Sequence, residues 1–199
     1  MQFLHNRQRM VLAATVLVSL VLSGCAATDP LTEQANSGTT NYVAGDGSVA
    51  EFDLASRSEP VELSGKLFDG TRVSESDWKG QVAVLNVWYA ACAPCRTEAP
   101  DLAALHGQFA PQGVQFFGIN TRDEAPTAAA FERTFGTDYP SITDKDGKVL
   151  LALTDFVPAN AVPTTLVLDK QGRVSARILG TADKSVLTAL IRDALEEDR

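Results

Sequence analysis

The rhythm of hydrophobic and polar positions divides the 199-residue chain into three stretches. Residues 11–22 are an unbroken run of small and apolar side chains behind a basic start at His5, Arg7 and Arg9. A run of that length falls short of the roughly 20 residues a membrane-spanning helix needs, so it predicts an export signal over 1–24. From Ala26 to about Ser48 the chain is rich in Thr, Asn, Ser, Gly and Asp and shows no apolar period. That composition predicts a flexible tether over 25–48 and a folded domain over 49–199.

Within the domain the period alternates between that of strands and that of helices. Short strands are expected at 49–52 and 61–67, with Asp69-Gly70 as a tight hairpin turn and Trp78 on a hook before the next strand. Residues 81–88 are almost continuously apolar, which predicts a central strand covered on both faces. Beyond Cys92, Leu102, Ala103, Leu105 and Phe109 mark a helix in which Pro100 should produce a kink. A strand at 114–119 follows, then a helix at 127–135 with Ala128 to Ala130, Phe131 and Phe135 as buried candidates. A short strand at 141–143, a turn at 144–147 and a helix at 149–154 come next. Residues 164–168 and 174–179 read as a hairpin. The last helix is amphipathic through Val186, Leu187, Leu190, Ile191, Ala194 and Leu195, with Asp183 as its cap. The order β-α-β-α and then β-β-α predicts an α/β fold with helices flanking a central sheet.

Charge narrows the partners. The net charge is -8, and removal of Arg7 and Arg9 with the signal leaves 15 basic against 25 acidic residues. Such acidity argues against nucleic acid and against a polybasic lipid-binding surface. Cysteine usage sharpens the picture: besides Cys25, the chain has only Cys92 and Cys95, placed where the apolar strand gives way to a helix. Open α/β sheets carry their sites at this end of the strands. A helix N-terminus favours a thiolate, so Cys92 is expected as the exposed attacking thiol and Cys95, one turn inward, as the thiol that resolves the mixed disulfide. A zinc site needs about four ligands and would find only His106 to join the pair. A c-type haem site would want histidine directly after Cys95, where Arg96 stands. A structural disulfide closing so short a loop would constrain the unfolded chain little. Glu98 lies three residues after Cys95, close enough to raise thiol pKa values and, if partly buried, to relay a proton.

Several motifs agree in order: Leu85-Asn86-Val87-Trp88, the run from Cys92 to Pro100, Gly118-Ile119-Asn120, and Val162-Pro163-Thr164-Thr165 before a hairpin. Over about residues 59–195 the sequence resembles the TlpA/ResA-like extracytoplasmic thioredoxin-fold proteins. The resemblance implies a thioredoxin-like fold with a central mixed β-sheet, an N-terminal β extension and a central insertion. It also implies a cis-proline at Pro163 beside the cysteines, a proton-handling part for Glu98, and a substrate groove expected to include Trp88, Ala93, Pro94 and Val162. Asn86 stands where cytoplasmic thioredoxins carry a buried aspartate. Ala91 departs from the tryptophan often found before the first cysteine, which leaves Cys92 less shielded. Leu22-Ser23-Gly24-Cys25 resembles a bacterial lipobox and implies cleavage before Cys25 and its lipidation, hence an extracytoplasmic protein held to the cell membrane by lipid.

The activity so implied is thiol-disulfide exchange with exported proteins, as a reductase fed by a membrane thiol-transfer protein of the DsbD/CcdA kind. Apocytochrome c is the leading substrate candidate, and no cofactor beyond a Cys92-Cys95 disulfide is called for. A thiol oxidase or disulfide isomerase would share every motif. A lipoprotein that handles Cu(I) through the two thiolates, or senses redox state, is the non-enzymatic alternative.

Overall fold

The computed structural model describes residues 48–197. The expected signal peptide, Cys25 and the tether up to residue 47 lie outside the described residues. In chain order the elements are β1 (Val49–Glu51), β2 (Ser64–Leu67), β3 (Arg72–Ser74), a 3-10 turn (Glu75–Trp78), β4 (Ala83–Trp88), α1 (Ala93–Phe109), β5 (Gln115–Asn120) and α2 (Ala125–Phe135). They continue with β6 (Ser141–Thr143), α3 (Lys148–Ala152), β7 (Thr164–Leu168), β8 (Val174–Leu179) and α4 (Lys184–Glu196). Among the described residues no helix is long and apolar enough to cross a membrane.

The strands form one mixed sheet in the order β1-β8-β7-β4-β5-β6-β2-β3. Strands β4, β5 and β6 run parallel, and the remaining neighbours pair antiparallel. This is the α/β architecture expected from the element order, with the mixed central sheet of the thioredoxin-like fold that the resemblance implies. The continuous apolar run in β4 has a direct cause, because every residue from Ala83 to Trp88 is buried. Ala83, Leu85 and Val87 face a core with Trp78, Phe117, Ile119, Ile142, Leu166 and Leu168. Val84 faces the other way, toward Leu102, Leu105 and Phe109 of α1 and Leu187, Leu190 and Ile191 of α4. Helices and loops cover both faces at the centre of the sheet, so strict alternation of apolar and polar side chains is lost there.

The N-terminal β extension divides between the two ends of the sheet. β1 pairs with β8, while the β2–β3 hairpin, turning at Gly70 with φ of 89°, pairs through β2 with β6. Strand β2 is shorter than the expected 61–67. Val61 and Leu63 are buried in the core cluster, and Val61 N–H donates to the Gly172 carbonyl at 2.9 Å. The connecting segment is held by Arg57, whose side chain is buried. It bonds Asp169 at 2.9 Å, the Phe52 carbonyl at 2.8 Å and Glu197, and Arg173 joins the same Asp169 at 2.8 Å.

Helix α1 continues through Pro100. Helix α2 begins two residues before the expected start and buries only Ala128 and Phe131, leaving Phe135 half-buried and Ala130 exposed. A turn of about 100° per residue puts Ala128 and Phe131 on one face and turns Ala130 away from it. The cap at Asp183 is as expected, accepting from Ser185 N at 2.8 Å and Val186 N at 3.1 Å. These parallel strands bring their carboxyl ends together, and the two cysteines sit at that edge.

Candidate active site

Cys92 and Cys95 form a disulfide across the first turn of α1. Cys92 is the N-cap, its backbone extended, and its Sγ accepts from Cys95 N–H at 3.2 Å. A reduced Cys92 would therefore place its sulfur before an unpaired helical N–H, at the positive end of the peptide dipoles. Proline at position 94 suits this start, since its missing N–H would have found no helical partner there.

Cys92 is not exposed as expected. In the oxidised state it is 3% accessible and Cys95 2%. The Val162 carbonyl lies 3.9 Å from Cys92 Sγ, and Val162, half-buried, packs on the cluster formed by Trp88, Ala90, Cys92, Cys95, Ala99, Ala128 and Phe131. The covering segment ends in a cis Val162-Pro163 bond, with Pro163 buried directly before β7. Of the residues expected in the substrate groove, Ala93 and Pro94 are exposed on the rim, as is Ala91. Trp88 is a correction: it is buried, and its ring stacks on Phe131 with centroids 4.4 Å apart. Because β4 is covered on both faces, its last side chain points into the protein and supports the cysteines from below. Gly118 makes this possible. A Cβ there would meet the Ser141 hydroxyl and stand 2.6 Å from Trp88 Nε1.

Glu98 is 1% exposed. One carboxylate oxygen accepts from Asn86 Nδ2 at 2.8 Å, and the other from Ala182 N–H at 2.7 Å. Asn86 also donates to Thr165 Oγ1 at 3.0 Å, so one buried group ties α1 to β4, β7 and the loop before α4. Two donors do not offset the loss of water. Burial raises the Glu98 carboxyl from 4.5 to about 7, opposed by the hydrogen bonds from Ala182 and Asn86. An acid so tuned can change protonation at neutral pH within the helix that carries the cysteines.

The loop after β5 supplies Arg122 and Asp123, which their position after a strand marks for this edge of the site, but whose partners were not legible in the sequence. Asp123 Oδ2 accepts from Ala90 N–H at 2.6 Å and from Asn120 Nδ2 at 2.8 Å. The Arg122 guanidinium lies over the Tyr89 ring, 4.1 Å from its centroid. The only available signal was position just past a parallel strand, where ordinary solvated loops also lie. His106 is committed elsewhere, with Nδ1 2.6 Å from Asp138 Oδ1. Among the described residues no group of three or more His, Cys, Asp or Glu side chains is arranged to hold a metal ion.

This arrangement can carry two electrons as a dithiol-disulfide couple, because both sulfurs sit within bonding reach on a rigid helix end. Comparison with known proteins agrees. Residues 58–177 match the AhpC/TSA family. The thiol:disulfide interchange protein DsbE of Pseudomonas aeruginosa is 34% identical over 151 residues, which cover 73% of this chain and 74% of that protein. The thiol-disulfide oxidoreductase ResA of Bacillus subtilis is 30% identical over 119 residues, and the match spans 60% of this chain and 64% of ResA. Among solved structures, a secreted thiol-disulfide isomerase from Corynebacterium glutamicum is 32% identical and superposes with a TM-score of 0.68, covering 80% of this chain and 99% of that one.

Proposed function

The chain belongs to the AhpC/TSA family as a thioredoxin-like thiol-disulfide oxidoreductase related to ResA and DsbE, and from that premise we propose that it reduces disulfides in exported proteins. The observation that carries the reading is the Cys92-Cys95 disulfide at the N-terminus of α1, with Cys95 N–H aimed at Cys92 Sγ. In the reduced protein the Cys92 thiolate attacks a substrate disulfide. A Cys92-substrate S–S bond forms, and the substrate bond breaks with release of one substrate thiolate. Cys95 then loses its proton and attacks Cys92, releasing the second substrate thiol and leaving the pair oxidised. Two electrons pass to the substrate and no cofactor takes part.

Glu98 is the proton-handling group in this scheme. With its carboxyl near neutrality it accepts a proton as Cys95 ionises and returns it when the pair is reduced again. The Val162 carbonyl and the Pro163 turn offer backbone beside the pair, where an extended substrate segment lies along Ala93 and Pro94. Export through the signal at 1–24, lipidation at Cys25 and reach through the tether at 25–48 place the domain outside the cytoplasm, held to the membrane by lipid. Its electrons come from a membrane dithiol donor of the DsbD/CcdA kind, and apocytochrome c before haem attachment is the leading substrate candidate.

A second reading is favoured by one observation: the Corynebacterium glutamicum structure is named a secreted isomerase. The deciding measurement is the reduction potential of the Cys92-Cys95 pair in the full chain, equilibrated with thiol-disulfide buffers and read on the peptide that carries both cysteines. A value at or below roughly -250 mV supports the reductase, whereas one near roughly -120 to -180 mV supports an oxidase or isomerase and overturns it.

A further inference from the structure

The three residues Tyr89 to Ala91 are all that separate the end of β4 from Cys92, so wherever Ala90 is held, Cys92 is held with it. The internal bonds of this loop are few: Cys92 N–H donates to the Tyr89 carbonyl at 3.1 Å, and Arg96 Nη1 reaches the Ala90 carbonyl at 3.4 Å. Its firm anchor comes from a loop distant in sequence. Asp123 Oδ2 accepts Ala90 N–H at 2.6 Å, a charge-assisted bond slightly shorter than the usual span of about 2.7–2.9 Å.

Asp123 is itself fixed. Asn120, fully buried, accepts through Oδ1 from Arg122 N–H at 3.1 Å and Asp123 N–H at 2.8 Å, while its Nδ2 donates to Asp123 Oδ2 at 2.8 Å. Thr121 N–H closes the strand ends by donating to the Trp88 carbonyl at 3.1 Å, and Asp144 N–H holds the Asn120 carbonyl at 2.7 Å. Arg122 covers Tyr89 from outside. The carboxylate is thus a rigid post standing on the central sheet.

In the oxidised protein the disulfide keeps Cys92 on the helix end. Once the pair is reduced that covalent link is gone, and the placement of Cys92 Sγ before Cys95 N–H rests on the helical bond from Arg96 N–H to the Cys92 carbonyl at 3.2 Å and on the preceding loop. We propose that Asp123 is a positioning residue of the exchange site, holding Ala90 so that the Cys92 sulfur stays before the Cys95 N–H after reduction. The inference rests on the exchange reading above and assigns Asp123 no contact with substrate. A thiolate kept in that place is stabilised, which lowers the Cys92 pKa and makes the disulfide more oxidising.

Charge and position predict opposite signs, which makes the idea testable. A carboxylate acting on Cys92 by its charge would raise the thiol pKa, so Asp123→Asn and Asp123→Ala would both lower it. A carboxylate acting by position makes Asp123→Ala raise the pKa, while Asp123→Asn, which keeps an oxygen acceptor for Ala90 N–H, stays close to the parent. Asp123→Ser runs beside the alanine variant; it keeps a polar turn former, but its hydroxyl is too short to reach Ala90. The assay is the pH dependence of Cys92 alkylation in the reduced full chain, read by mass spectrometry, together with the reduction potential and the thermal midpoint.

The expected result for Asp123→Ala and Asp123→Ser is alkylation about tenfold slower at pH 6, corresponding to about one pH unit in the Cys92 pKa. At a pH above both Cys92 pKa values it comes with a tenfold shift of the redox equilibrium toward the disulfide, a potential lower by about 30 mV, and the shift shrinks as the pH falls below them. Asp123→Asn should restore both. The proposal is overturned if alanine and serine lower only the thermal midpoint, or if asparagine behaves as alanine does. Absence of a reversible couple in the parent chain would instead defeat the exchange reading, and the alkylation profiles would still decide whether Asp123 positions Cys92.

Discussion

Replacing Glu98 with glutamine tests the physical core of the site. The carboxyl is 1% exposed, and burial moves it from 4.5 to about 7. Between those values the native protein binds a proton that the unfolded chain has released, so native stability falls as pH rises through this window. Below about 4.5 both states are protonated and the full stabilisation is present; above about 7 both are ionised and it is lost. The span corresponds to about 3 kcal/mol at 1.36 kcal/mol per pH unit. Glutamine carries no such penalty. Its oxygen can keep the Ala182 N–H, and a flipped Asn86 amide can accept from its nitrogen and from the Thr165 hydroxyl. The assay is urea unfolding of the oxidised parent and Glu98→Gln from pH 4.5 to 8.5, each pair compared at the same pH so that other titrating groups cancel. The parent should lose about 3 kcal/mol relative to the variant between the ends of the window, with no further change above about pH 8. A difference that stays flat across the range would refute the buried acid and, with it, the proton-handling part assigned to Glu98.

Three further outcomes follow from the same geometry. Cys95→Ser should accumulate a covalent Cys92-substrate disulfide visible by intact mass, whereas Cys92→Ser should form none; a stable adduct on Cys95 instead would reverse the assigned order of attack. Gly118→Ala places a Cβ against the Ser141 hydroxyl and 2.6 Å from Trp88 Nε1, so it should cost about 1–3 kcal/mol in urea unfolding and alter tryptophan fluorescence. Unchanged fluorescence and stability would show that the Trp88 pocket yields freely. Asp169→Ala leaves the buried Arg57 with Glu197 as its remaining carboxylate and Arg173 without one, and should destabilise the domain by about 1–3 kcal/mol. A cost below about 1 kcal/mol, typical of an exposed pair, would show that water reaches this network.

The elements of this protein are written locally. The period of apolar residues in α4, the cap at Asp183 and the run 81–88 are each settled within a few neighbours, so element type and order were legible. So was the placement of two cysteines at a strand-helix junction, and with it the chemistry of the site. Long-range decisions were not. Asp123 reaches Ala90 across 33 residues, Ala182 reaches Glu98 across 84, and Arg57 reaches Asp169 across 112. No local pattern specifies such partners, because they depend on which strands become neighbours. The order β1-β8-β7-β4-β5-β6-β2-β3 sends the two halves of the N-terminal extension to opposite edges and lays the Val162 segment over Cys92. Spacing along a helix could therefore place Glu98 near Cys95, and sequence alone determined that a dithiol stands at the start of α1. Only the assembled sheet with its helices decided that Glu98 is dry, that Cys92 is covered when oxidised, and that Trp88 turns inward, since burial is a property of what packs against a residue.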